Sequence, residues 1–118
     1  MAWTWLTALL RDERPDWPAT PACAPAQLLE VATREGIVAL VHERLDAQHY
    51  PDEALAPFAA ATRGEAAMLL MREGECRRVL AAMAAEGLPA LLLKGSALAY
   101  WAYAEPHLRK CVDIDLLL

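Results

Sequence analysis

The sequence predicts an α+β fold: a helical N-terminal region that leads into the start of a mixed sheet, entered as strand, helix, strand. Three observations carry this expectation. Apolar residues recur at three- and four-residue spacing over most of residues 1–88. After Pro89 the pattern changes to a short continuous apolar run, Ala90 to Leu93 (ALLL). The final stretch, VDIDLLL, alternates with a period of two, as a strand does. The expected organisation is a helical region over 1–88 and a strand–helix–strand segment over 89–118.

In chain order, AWTWLTALLR (2–11) places Trp3, Leu6 and Leu10 at helical spacing. Pro15, Pro18, Pro21 and Pro25 each remove a backbone donor and push the preceding residue out of the helical region, so DERPDWPATPACAP is expected as a loop. From Ala26 a second helix runs to Gly36, a residue suited to a left-handed helix end. A third, Ile37 to about Ala47, puts Val38, Val41 and Leu45 on one face. Pro51, Asp52 and Glu53 suit a helix start, and the stretch to Glu86 reads as one long helix or two in series, with Pro57 and Gly64 as break points. Its second half has an apolar stripe of Leu69, Cys76, Val79, Leu80 and Met83, with Glu73, Glu75, Arg77 and Arg78 opposite. Gly87 and Pro89 end it. Ser96 to Tyr103 returns to helical composition, with Ser96 as the expected cap.

With 118 residues, 57% of them hydrophobic and 23% charged, the chain has the composition of a globular protein with one core. A net charge of −5 disfavours a long nucleic acid or an anionic membrane surface as partner, because both require a basic face. Charges interrupt every apolar stretch, so no membrane span is expected, and the start lacks a basic leader, which makes the cytoplasm the default compartment. Cys23, Cys76 and Cys111 are odd in number and widely spaced, which suits neither a disulfide framework nor a zinc site.

Two features carry chemistry. Asp113 and Asp115 are two apart on the expected last strand, so they share a face opposite the buried leucines. Two like charges among leucines repel and lose hydration, and a hard divalent cation such as Mg²⁺ relieves both costs. The alternative is a strand face that merely meets solvent. The second feature is Lys94-Gly95-Ser96 at the strand-to-helix junction: glycine permits close approach, the helix start offers free N–H groups, and serine and lysine add donors, which together suit a phosphate. Taken alone, the same triplet is an ordinary turn.

Together, LLLKGSALAYWAYAEPHLRKCVDIDLLL resembles the signature of the nucleotidyltransferase superfamily typified by DNA polymerase beta. It is more similar still to the uncharacterised bacterial nucleotidyltransferase family, with its LKG turn, an arginine four positions before the first aspartate, and DIDLL. Leu93-Lys94-Gly95, Arg109 and Asp113-Ile114-Asp115-Leu116-Leu117 carry that likeness, which is specific over residues 79–118. The resemblance implies a nucleotidyltransferase-type mixed sheet and Mg²⁺-dependent transfer of a nucleoside monophosphate from an NTP to an unidentified acceptor, a small molecule or a protein. Asp113 and Asp115 would be the catalytic metal ligands, and Gly95 and Ser96 would bind the terminal phosphates. Lys94 and Arg109 would be phosphate or carboxylate partners, with a structural salt bridge as the equal alternative. The superfamily's third carboxylate lies on a later strand, so the chain is expected to be an N-terminal fragment whose full-length parent is the enzyme and which catalyses no transfer alone. Metal-dependent transfer by the purified 118 residues would overturn that expectation.

The rival reading is a noncatalytic helical interaction module, antitoxin-like or binding a biosynthetic partner. Other residues carry less. His107 with Cys111, and His42 with His49, lack the third group that a nucleophilic or metal site needs. Trp3, Trp5, Trp17 and Trp101 are expected as packing anchors, with contact between Trp101 or Tyr100 and a nucleotide base as the lesser alternative.

Overall fold

A computed structural model describes residues 2–17, 23–111 and 113–118. The helices are α1 (Ala2–Leu10), α2 (Pro25–Glu35), α3 (Val38–Ala47), α4 (Asp52–Ala85) and α5 (Lys94–Trp101). Strands β1 (Leu91–Leu93) and β2 (Asp115–Leu117) flank α5, and a 3₁₀ turn covers Pro106–Leu108. The α+β class is as the sequence predicts. Within α4 the chain divides into two compact units, residues 1–63 and 64–118.

In the first unit, α1, α2 and α3 pack against one another, and the first turns of α4 join their core. Leu6, Leu9, Leu28, Val38, Val41, Leu45 and Phe58 are fully buried. On α1 the buried stripe is Leu6 and Leu9, while Trp3 is 53% exposed, so the expected Trp3–Leu6–Leu10 face is rotated by about one residue. The rotation has a cause. Trp5 stacks edge-on against Trp17 and Tyr50, with ring centroids 5.6 and 6.0 Å away, and donates its indole N–H to the Asp16 carbonyl at 3.1 Å. One tryptophan satisfied in this way turns its neighbour two positions earlier to water.

Local chemistry sets the boundaries. Pro25 opens α2, where a missing N–H costs nothing, and the Gln27 side chain accepts from the Ala24 backbone N–H at 3.3 Å. Gly36 closes the helix at φ 69°, with the Ile37 N–H returning to the Ala32 carbonyl at 2.9 Å. The expected proline-rich loop is seen as coil and turn up to Trp17, and Pro18 and Pro21 lie outside the described residues.

α4 is one helix of 34 residues, and neither Pro57 nor Gly64 breaks it. Pro57 deprives only the Glu53 carbonyl of a helical donor, and Glu53 is exposed, so water replaces the lost bond. Pro57→Ala is therefore expected to stabilise the fold by about 2 kcal/mol, the helix-interior proline penalty less the entropy that proline removes from the unfolded chain. A raised midpoint in chemical denaturation checks this. Farther along, Leu69, Glu73, Cys76, Leu80 and Met83 form a half-buried stripe, with Arg72 half-buried beside it. That is the 3.6-residue period carried through strictly, so Glu73 falls on the packed face and Val79 on its exposed flank, against expectation.

β1 and β2 form an antiparallel pair: Leu91 opposite Leu117, Leu92 opposite Leu116, and Leu93 opposite Asp115. The expected strand from Val112 to Leu118 is thus shorter. Asp113 and Ile114 precede the ladder, and Val112 lies outside the described residues. The reason is on the partner strand. The chain turns into α5 at Lys94, so nothing beyond Leu93 remains extended to continue the pairing.

Candidate functional site

The ladder brings the glycine corner to the acidic segment. Because Leu93 pairs with Asp115, the three residues that follow Leu93 fall beside the residues that precede Asp115. Two side-chain contacts realise this. The Ser96 hydroxyl donates to the Asp113 carbonyl at 3.1 Å, and Lys94 Nζ lies 3.7 Å from Asp115 Oδ2. Asp113 is exposed and Asp115 half-buried, and among the described residues no cation pairs with Asp113.

The corner starts abruptly. Leu93 is the last extended residue (φ −118°, ψ 164°), and Lys94 follows at φ 56°, in the left-handed region that costs a residue with a Cβ about 1–2 kcal/mol. Leu93 acts as N-cap without any side-chain cap bond. Ser96 is therefore not the cap that composition suggests. It sits inside the first turn, and its single proton is committed to Asp113. The N–H groups of this first turn keep no intrahelical acceptor, which is the property a phosphate uses.

Arg109 closes the other side. A Cβ placed on Gly95 would meet Arg109 Nε, Arg109 Nη2 and Cys111 Sγ, each at 3.5 Å, so the guanidinium packs directly over the glycine. Its carbon lies 6.0 Å from the Tyr103 ring centroid, and its Nε is buried without a hydrogen-bond acceptor. The structure thus brings Lys94, Gly95, Ser96, Arg109, Asp113 and Asp115 into one neighbourhood. Tyr103 is a contributor that sequence reasoning passes over, and Cys111 enters it only as a thiol beside His107. Neither stands in a recognisable motif, since the one supplies a ring face and the other a packing atom.

Next to the corner, α4, β1 and α5 enclose a mainly apolar cleft with room for about 20 Å³, lined by Leu69, Cys76, Leu92, Ala99 and Ile114 among others. That is space for a water molecule, and a nucleobase does not fit. Tyr100 lines it, and loss of hydration first, then the Glu73 carboxylate, push its hydroxyl above the ordinary phenol value. Trp101 is 84% exposed and so is no packing anchor.

Among the described residues there is no group of three or more His, Cys, Asp and Glu able to hold a metal. Among the same residues no helix is long and apolar enough to cross a membrane. No curated protein and no solved structure matches the chain. A family model described as uncharacterised nucleotidyltransferase does match, over residues 22–118. That span holds most of the helical region together with the glycine corner, the arginine and both aspartates, and the chain accordingly belongs to the uncharacterised nucleotidyltransferase family.

Proposed function

We propose that residues 89–118 supply the nucleotide- and metal-binding half of a site for NTP-dependent nucleotidyl transfer, with Mg²⁺ held by Asp113 and Asp115. The observation that carries this reading is the register of the ladder, which sets the Asp115 side chain and the Asp113 backbone beside a glycine–serine helix start. The donor set suits the ion: two hard carboxylate oxygens from neighbouring positions leave the rest of an octahedron to water and phosphate oxygens, the usual arrangement for Mg²⁺. When bound, the cation would stabilise negative charge on the transferring phosphoryl group.

The chain's own groups have separable tasks. The first-turn N–H groups of α5 donate to phosphate oxygens, and the absence of a Cβ at Gly95 lets those oxygens come close. Arg109 brings a permanent charge and a buried Nε in want of an acceptor, which a phosphate oxygen provides. The Ser96 hydroxyl can donate to phosphate only by leaving the Asp113 carbonyl, so nucleotide binding is coupled to the segment that bears the acids. The acceptor is a small molecule or a protein, consistent with a net charge that gives a long nucleic acid no basic face.

Calorimetric titration of Mg–ATP into the protein tests the reading. Binding that disappears in Asp113→Asn and Asp115→Asn supports it, and indifference to both favours a noncatalytic interaction module. A second variant separates fold from function. At Gly95 the added methyl of alanine meets its neighbours at ordinary contact distance, and alanine is the better helix residue by roughly 0.5–1 kcal/mol. Gly95→Ala is expected to fold at least as stably as the wild type while binding Mg–ATP about tenfold more weakly, a loss of roughly 1.4 kcal/mol from obstructed phosphate approach. Paired denaturation and titration curves check both halves.

A further inference from the structure

Lys94 is an expensive residue for its position. It adopts φ 56°, where glycine or asparagine would be less strained, at the junction between β1 and α5. Strain of this kind persists where the side chain has a task. What the side chain does is visible: Nζ sits 3.7 Å from Asp115 Oδ2. Asp115 is the more enclosed of the two acids, and Lys94 is its only ionic partner among the described residues.

We infer that Lys94 is a resident counterion of Asp115, a positioning residue whose ammonium holds the carboxylate in place until a divalent cation displaces it. The inference rests on the proposed metal-binding role of Asp115. The geometry suits displacement. The contact is long, and the two side chains are 74% and 38% exposed, so the pair is held weakly and screened by water. A divalent ion outbids a single ammonium for the same oxygen, and the flexible lysine stem lets the charge withdraw into solvent without moving the backbone. While paired, the Asp115 carboxylate has its charge partly offset before any metal arrives.

The test is a titration of nucleotide-free protein with Mn²⁺, reading free Mn²⁺ by electron paramagnetic resonance. Lys94→Gln removes the competitor and is expected to tighten Mn²⁺ binding about two- to fivefold, the range an exposed ion pair supports. Lys94→Gly accepts the left-handed backbone without strain and is expected to show the same gain, which guards against a folding artefact. Lys110→Gln makes the same charge change at a lysine paired instead with Glu65, at 3.8 Å, and is expected to leave the affinity unchanged. If Mn²⁺ binding depends on Asp115 yet neither Lys94 variant tightens it, or Lys110→Gln tightens it equally, the counterion role is overturned and the metal site stands. If Asp115→Asn binds Mn²⁺ as the wild type does, the metal site itself is overturned, and the counterion role with it.

Discussion

Asp113→Asn and Asp115→Asn are each expected to weaken Mg–ATP binding by more than the roughly 10–100-fold that loss of an outer-shell partner costs a metal site, while leaving the fold intact. The asymmetry follows from where the carboxylates sit. β2 is held by backbone pairing of Asp115, Leu116 and Leu117 with β1, to which the Asp115 side chain contributes nothing. The one ionic contact that the substitution breaks is with Lys94, and a pair so exposed contributes at most about 1 kcal/mol. Asp113 is exposed and offers its backbone carbonyl, not its carboxylate, to Ser96, so asparagine keeps that bond. Unchanged circular dichroism and denaturation midpoints, together with vanished calorimetric heats, are the expected pair of results. An equal fall in stability would make the aspartates structural.

Phe58→Ala is expected to have the largest effect on stability, about 3–5 kcal/mol. Phe58 is wholly enclosed, the bulkiest side chain to be so, in a cluster with Leu6, Leu9, Leu28, Val41 and Leu45. Truncation deletes the ring's transfer free energy and leaves a hole that three short helices and the start of α4 cannot collapse into without breaking their mutual packing. At roughly 0.05–0.15 kcal/mol per residue, a unit of some 63 residues has only about 3–9 kcal/mol to lose. The substitution therefore brings the first unit close to its unfolding threshold. Trp5 and Trp17 lie in the same unit, and their fluorescence in a urea titration reads the shift directly. Phe58→Leu, which keeps most of the volume, is expected to cost less than half as much.

Much of this was legible in the residues. Gly36 and Gly87 mark helix ends because glycine enters the left-handed region at little cost, and the expected boundaries of the first three helices fall within about one residue of those found, with Pro25, expected in the loop, opening α2. The site's members were legible as types and spacings: lysine, glycine and serine after an apolar run, and two aspartates two apart. Three things were not. The continuity of α4 through Pro57 depends on Glu53 facing water, a tertiary fact. The short β2 depends on where its partner strand turns away, which the alternation of VDIDLLL cannot register. The packing of Arg109 over Gly95 and near Tyr103 joins residues separated by 6–14 positions through a loop that carries no pattern.

The alignment of this chemistry depends on three pairs of facing residues, and that has a bearing on which changes in chain length it tolerates. A residue inserted or deleted between Leu91 and Leu93, or between Asp115 and Leu117, slips the facing pairs. The link that joins the two arms is under no such constraint at its outermost point, where Ala104 and Glu105 meet solvent. A fluorophore, an epitope or a whole inserted module spliced between those two residues should leave the pairing of β1 with β2 untouched.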